Sequence, residues 1–140
     1  MTERGVLGNA GERLAAVYLK SKGHKILAKN FRRPWGEIDL ISTSPDGVLV
    51  FTEIKSTLAE EGGRAPTPFD HMGFGKMRSL RRSAEFFANK FSKLSEKGWR
   101  IDFISVTIPE GLLGKAARYP NFLLTELIKC CEVEVCENIA

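Results

Sequence analysis

Two stretches of the chain combine apolar residues with charged ones spaced two apart. Gly36-Glu37-Ile38-Asp39-Leu40-Ile41-Ser42 and Val48-Leu49-Val50-Phe51-Thr52-Glu53-Ile54-Lys55 are rich in β-branched and aromatic residues and read as strands. Between them, Ser44-Pro45-Asp46-Gly47 has proline where a turn wants a fixed φ and glycine where it wants a positive one. The pattern predicts an antiparallel hairpin. Upstream, Ala10, Leu14, Val17 and Tyr18 recur at helical spacing from Asn9 to Lys22, with Gly23 suited to the position past a helix end. Lys25 to Phe31 is the faintest extended segment. A polar, glycine-rich loop is expected from Ser56 to about Phe74. Met77, Leu80, Ala84, Phe87 and Phe91 then form a stripe with steps of three and four, which predicts a helix over Lys76 to Phe91. Trp99 to Ile108 reads as a largely buried strand ended by Pro109. Beyond it, Asn121 to Ile128 suits either a short helix or a strand, and Cys131 to Val135 alternates like an edge strand.

The length of 140 residues fits one domain, and 43% hydrophobic with 27% charged residues is ordinary for a soluble globular chain. Residues 1–108 are expected to form the core, with 109–140 as an extension packed on the same domain. No apolar run approaches the roughly 18 residues of a membrane span. Met1-Thr2-Glu3-Arg4-Gly5 lacks the apolar stretch of a secretory signal. A cytoplasmic protein with no membrane partner is the expectation. The net charge of +4 suits a nucleic-acid partner without requiring one. All 3 cysteines, Cys130, Cys131 and Cys136, fall in the tail with no histidine nearby, which speaks against a disulfide framework or structural zinc.

Charge changes the picture at the hairpin. A three-residue Pro45-Asp46-Gly47 loop sets Ser44 opposite Val48, hence Asp39 opposite Glu53 and Glu37 opposite Lys55. Directly opposed side chains have Cβ atoms about 4.5–5.5 Å apart. Like charges so placed are costly unless something compensates, and a hard divalent cation does so with one or two carboxylates plus water and phosphate. Lys55 would face the same phosphate, orienting a water or stabilising developing charge. The competing reading is a solvated strand face with ordinary pairs such as Glu37–Lys55. Ile41 and Phe51, on the carboxylates' own face, argue against a uniformly polar surface.

Gly11-Glu12, Asn30, Gly36-Glu37-Ile38-Asp39-Leu40-Ile41, Val50-Phe51-Thr52-Glu53-Ile54-Lys55, Lys76 and the strand bearing Asp102 together resemble the bacterial YraN-like proteins. That family is similar to the archaeal Holliday-junction resolvases within the PD-(D/E)xK nuclease superfamily. The resemblance implies a restriction-endonuclease-like α/β fold, an αβββαβ core with a mixed sheet flanked by helices. It also implies Mg²⁺- or Mn²⁺-dependent DNA hydrolysis, with Asp39 and Glu53 as metal carboxylates, Lys55 as the catalytic lysine and Glu12 completing the site. Glu12 also suits a plain helix N-terminus. Pro45-Asp46 is not the proline–aspartate motif: seven residues of strand, roughly 23 Å, separate Asp46 from Glu53. Thr57 stands where relatives often carry a basic residue.

The basic face of the second helix, with Lys76, Arg78, Arg81 and Arg82, is the expected contact to DNA phosphates. A homodimer is compatible with this reading. His24 and His71 read as loop or surface residues, and Trp35 as a core cap in preference to a base-stacking platform. The alternatives are a non-catalytic nucleic-acid-binding module and a protein-interaction domain using the cysteine tail.

Overall fold

The computed structural model describes residues 2–59 and 73–139. In order, the elements are α1 (Glu3–Ser21), β1 (Lys25–Arg33), β2 (Gly36–Thr43), β3 (Leu49–Ala59), α2 (Phe74–Lys90), β4 (Trp99–Pro109), α3 (Leu113–Arg118), α4 (Asn121–Leu127) and β5 (Glu132–Cys136). One mixed sheet runs β1-β2-β3-β4-β5. β1, β2 and β3 are antiparallel neighbours, β4 is parallel to β3 with α2 between them in sequence, and β5 closes the edge antiparallel to β4. This is the α/β architecture with an αβββαβ core that the sequence order predicts. Among the described residues no helix is long and apolar enough to cross a membrane.

Each face of the sheet has its own core. Leu14 and Ala15 of α1, with Ala116 and Leu124 from the C-terminal helices, pack on Leu40, Ile104, Val106 and Ile108. On the other face, Leu80, Ala84 and Phe87 of α2 pack on Ile38, Ile41, Phe51 and Ile101. The hairpin turn follows the sequence reading closely. Gly47 N–H donates to the Ser44 carbonyl at 2.8 Å and Ser44 N–H to the Val48 carbonyl at 2.9 Å, with Gly47 at φ +85°. The register follows from it: Thr43 faces Leu49, Ile41 faces Phe51 and Leu40 faces Thr52.

Several boundaries differ, each for a physical reason. α1 starts at Glu3 rather than Asn9, capped by Thr2 Oγ1, which accepts from Gly5 N–H at 3.1 Å. Glycines at 5, 8 and 11 hide that first stretch from a periodicity reading. β3 runs on to Ala59, because its parallel pairing with β4 extends to Ala59 opposite Pro109. The loop expected from Ser56 is therefore strand for its first four residues, and its remainder, with His71, lies largely outside the described residues. β1 carries a register shift between Ile26 and Ala28 and a left-handed Asn30 at φ +50°, which is why its alternation is faint. Phe91 does not join the buried stripe of α2. It is 41% exposed, and Ser83 and Ala88 fill the interior side with Leu80, Ala84 and Phe87.

Asn121–Leu127 is helical, and α3 has no counterpart in the sequence reading. The extension is tied down by Arg13 of α1. Its guanidinium donates to the carbonyls of Ala116 (3.2 Å), Ala117 (3.0 Å) and Tyr119, satisfying the open C-terminal end of α3.

Candidate functional site

The β2–β3 ladder runs in register as far as Leu40–Thr52 and then opens. Asp39 does not meet Glu53 as an ordinary cross-strand pair. Its Oδ2 accepts the Ile54 backbone N–H at 2.8 Å, so a carboxylate supplies the bond that the neighbouring strand would otherwise make. The fork admits side chains from both layers of helices.

From the α1 side comes Glu12. Gly11 makes this possible: a Cβ there would lie 1.7 Å from Ser56 Oγ and 2.6 Å from Ser56 Cβ. Only glycine lets α1 approach β3 so closely, and that approach brings Glu12 against Asp39. Glu12 is raised to about 7, chiefly by burial and then by the Asp39 charge, while a hydrogen bond with Asn30 opposes the shift. From the α2 side comes Lys76, whose Nζ lies 3.1 Å from Glu53 Oε1. Glu53 is likewise raised to about 7, by burial first and the Asp39 charge second, with Lys76 pulling the other way. Asp39 is raised by its own burial, against the Ile54 N–H bond and the Lys76 charge. Three carboxyl groups thus share too little positive charge.

Glu53 Oε2 is buried and has no hydrogen-bond partner. A native interior leaves few such atoms unexplained. The donor set is all oxygen and suits a hard cation. Among the described residues no three His, Cys, Asp or Glu side chains converge into a ready-made chelate. Asp39 and Glu53 are the two buried carboxylates that could hold such an ion.

Lys55 lines a cavity of about 230 Å³ with Arg4, Leu7, Gly8, Glu12, Ile54 and Ser56. Among the described residues it has no ion-pair partner, and the Glu37–Lys55 pair of the solvated-face reading does not form. Glu37 instead pairs with Arg32 across β1–β2 at 3.5 Å. Arg78, Arg81 and Arg82 are exposed on α2, as the helical stripe requires. Lys76, expected at the end of the helix nearest the cut phosphate, reaches into the fork and pairs with Glu53. Asn30 and Lys76 are the partners that spacing alone does not reveal. The sequence signal for both is their place among the motif residues that carry the family resemblance; their partners, Glu12 for Asn30 and Glu53 for Lys76, appear only in the fold.

Other candidates fall outside the fork. His24 Nδ1 lies 3.0 Å from Ser42 Oγ, and its pKa is lowered mainly by burial. Trp35 caps the α2 face, its indole N–H donating to Ser83 Oγ at 3.0 Å. Cys131 is pushed up to about 11 by burial, which makes it a poor nucleophile at neutral pH.

The fold and the fork define an αβββαβ protein with a buried cluster of carboxylates where two central strands part. The chain belongs to the Uncharacterised protein family UPF0102, whose model matches residues 11–106 and so spans every residue of the fork. Curated relatives carry the same designation, UPF0102 protein. That of Fervidobacterium nodosum is 37% identical over 110 residues, covering 79% of this chain and 76% of the relative. That of Desulforamulus reducens is 35% identical over 105 residues, 74% of this chain and 83% of the relative. That of Thermotoga maritima is 39% identical over 102 residues, 72% of this chain and 85% of the relative. This family is the YraN-like group that the sequence motifs resemble.

Proposed function

We propose that the protein is a Mg²⁺- or Mn²⁺-dependent nuclease that hydrolyses DNA phosphodiester bonds. Branched or otherwise structured DNA is the substrate class that the resemblance to junction resolvases suggests. The observation that carries the reading is the buried, unpartnered Glu53 Oε2 beside Asp39, a defect that a divalent ion would repair. When bound, such an ion supplies charge neutralisation at the phosphate and lowers the pKa of a coordinated water. Asp39 and Glu53 would hold it, with one Asp39 oxygen, Oδ2, already engaged by the Ile54 N–H. Lys55, unpaired among the described residues, orients the attacking water or stabilises charge on the phosphoryl oxygens. Glu12, poised near neutrality, can hold or release a proton beside Asp39.

A second reading, a non-catalytic nucleic-acid-binding module, draws on the Lys76–Glu53 pair at 3.1 Å as a purely structural bond. Incubation with duplex, nicked, flapped and four-way DNA, with and without Mn²⁺, separates the two. Mn²⁺-dependent cleavage lost in Glu53→Gln supports hydrolysis. Binding without cleavage under every condition supports the module.

A further inference from the structure

We infer that the outer surface of α2 and the end of β1 form a track for the backbone of one DNA strand, built from Arg33, Arg82 and Lys90 held on aromatic rings and leading away from the fork. The track rests on the nucleic-acid part of the proposed function and adds to it where the substrate lies.

Residues 78, 82, 86 and 90 are four apart and form one stripe along α2. The Arg82 guanidinium lies 4.1 Å from the Trp35 ring centre, and Arg33 lies 4.2 Å from Phe86 and 5.4 Å from Trp35. Lys90 Nζ is 6.0 Å from Phe86 and 5.8 Å from Phe91. Trp35 itself is fixed by Ser83 and by an edge contact to Phe86 at 5.7 Å. Among the described residues Arg33, Arg82 and Lys90 form no ion pair, although Glu85 is exposed on the same helix. Arg33 Nε is buried with no hydrogen-bond partner. These cations are therefore pre-ordered yet uncompensated, a state that favours an anionic partner and lowers the entropy cost of binding it.

The partner is a backbone rather than a base. The ring faces are already occupied by the protein's own cations, so no base can stack on Trp35 or Phe86. From Arg78 to Lys90 the helix rises about 18 Å, long enough to reach several phosphates of one strand. Lys76, at the near end, touches Glu53 and sets the start of the track at the fork.

The test is fluorescence anisotropy of a labelled duplex of about 20 base pairs, titrated with intact protein in EDTA over a range of NaCl. The Arg33→Gln, Arg82→Gln, Lys90→Gln variant is expected to bind with a log–log salt slope shallower by two to three units, at about 0.9 for each phosphate no longer neutralised. Arg33→Lys with Arg82→Lys keeps the charge and should keep the slope. Lys115→Gln, Arg118→Gln, Lys129→Gln removes equal charge from the opposite side of the sheet and should leave the slope unchanged. If the first variant keeps the wild-type slope, or the control changes it as much, the track is overturned while the nuclease reading stands. If the wild type binds no duplex but does bind phosphatidylserine vesicles, the track is overturned, and the nuclease reading stands or falls on the Mn²⁺ cleavage assay with branched DNA. A shallower slope in a protein that never cleaves DNA with Mn²⁺ supports the track and overturns hydrolysis.

Discussion

Asp102 and Glu53 lie on adjacent parallel strands, one register step apart, and the protein treats them in opposite ways. Asp102 is 3% exposed and fully served: Arg100 Nε donates to both its oxygens at 3.0 and 3.2 Å, and the Asn138 N–H donates at 2.9 Å. It ties the end of the chain to β4 and borders the cavity beneath the hairpin turn, with His24 and Lys22. Glu53 has one oxygen on a half-exposed lysine and the other on nothing, with a second carboxylate beside it. A buried carboxylate with both oxygens engaged is structure. One that is left short in the free protein raises its pKa and lowers stability, and a sequence keeps such a defect where something else completes it.

The largest expected effect is on chemistry at the fork. Asp39→Asn with Glu53→Gln should abolish divalent-ion binding by calorimetry and lower cleavage by at least roughly 10³-fold, since both groups proposed to hold the ion would be gone. Unchanged ion affinity would remove the assignment of these two residues. Lys55→Ala is the sharper companion. It should leave ion binding in place and cut cleavage by roughly 10²-fold, the scale of one positioned group. Loss of ion binding in that variant would make the lysine a structural residue.

Stability should move in opposite directions in the two regions. Asp102→Ala leaves the partly buried Arg100 guanidinium with only the exposed Glu137, at 3.8 Å, and frees the Asn138 N–H, and should cost about 3–5 kcal/mol in urea unfolding. The Asp39→Asn, Glu53→Gln pair relieves opposed charges and should leave the ion-free protein as stable or more so. A comparable loss in both would erase the distinction between them.

How much of this contrast is legible in the chain depends on what fixes each part. The hairpin register is legible because Pro45-Asp46-Gly47 admits one tight loop, and the loop dictates which residues face each other. The α2 stripe and the strand status of β4 follow from periodicity and composition. The fork is not legible: pairing predicts Asp39 across from Glu53, whereas the side chain of Asp39 captures the Ile54 N–H and ends the ladder one step earlier. Lys76 meets Glu53 only because α2 docks on the far face, which no local pattern encodes. The same holds for Arg13, whose three carbonyl partners lie more than 100 residues away. Local chemistry fixes turns and faces; contacts between layers appear only in the folded chain.

A smaller effect concerns pH. Glu12 and Glu53 bind protons more tightly in the folded protein, at about 7, than at the ordinary glutamate value of 4.5. Between those values the folded state holds more protons than the unfolded, so stability is greatest at the acid end and falls as pH rises to about 7. With Glu12 discounted for its exposure, a loss of roughly 1–3 kcal/mol is expected in EDTA. Urea midpoints measured from pH 5 to 8 should decline in the wild type. They should decline less in Glu53→Gln, and less again when Mn²⁺ is added to the wild type. A wild-type profile that rises across this window would contradict the placement of the carboxyls.

The smallest effect separates the two roles open to Lys76. Its side chain is 44% exposed and that of Glu53 is 14%, so the pair spans the boundary between solvent and fork and is worth about 0–1 kcal/mol at most. Lys76→Met keeps the stem and removes the charge. Because Lys76 holds down the pKa of both Glu53 and Asp39, losing it should raise the Glu53 titration further, by less than about one unit on the same energy scale. Carboxyl-carbon NMR across pH 5 to 9 reads this directly, and overall stability should barely change. If Lys76 served only as a phosphate contact, the Glu53 titration would stay where it is and only the salt dependence of DNA binding would respond. A raised titration with little loss of DNA affinity places the lysine in the fork, as a built-in counter-charge that partly offsets the deficit around Glu53 before any ion or substrate arrives.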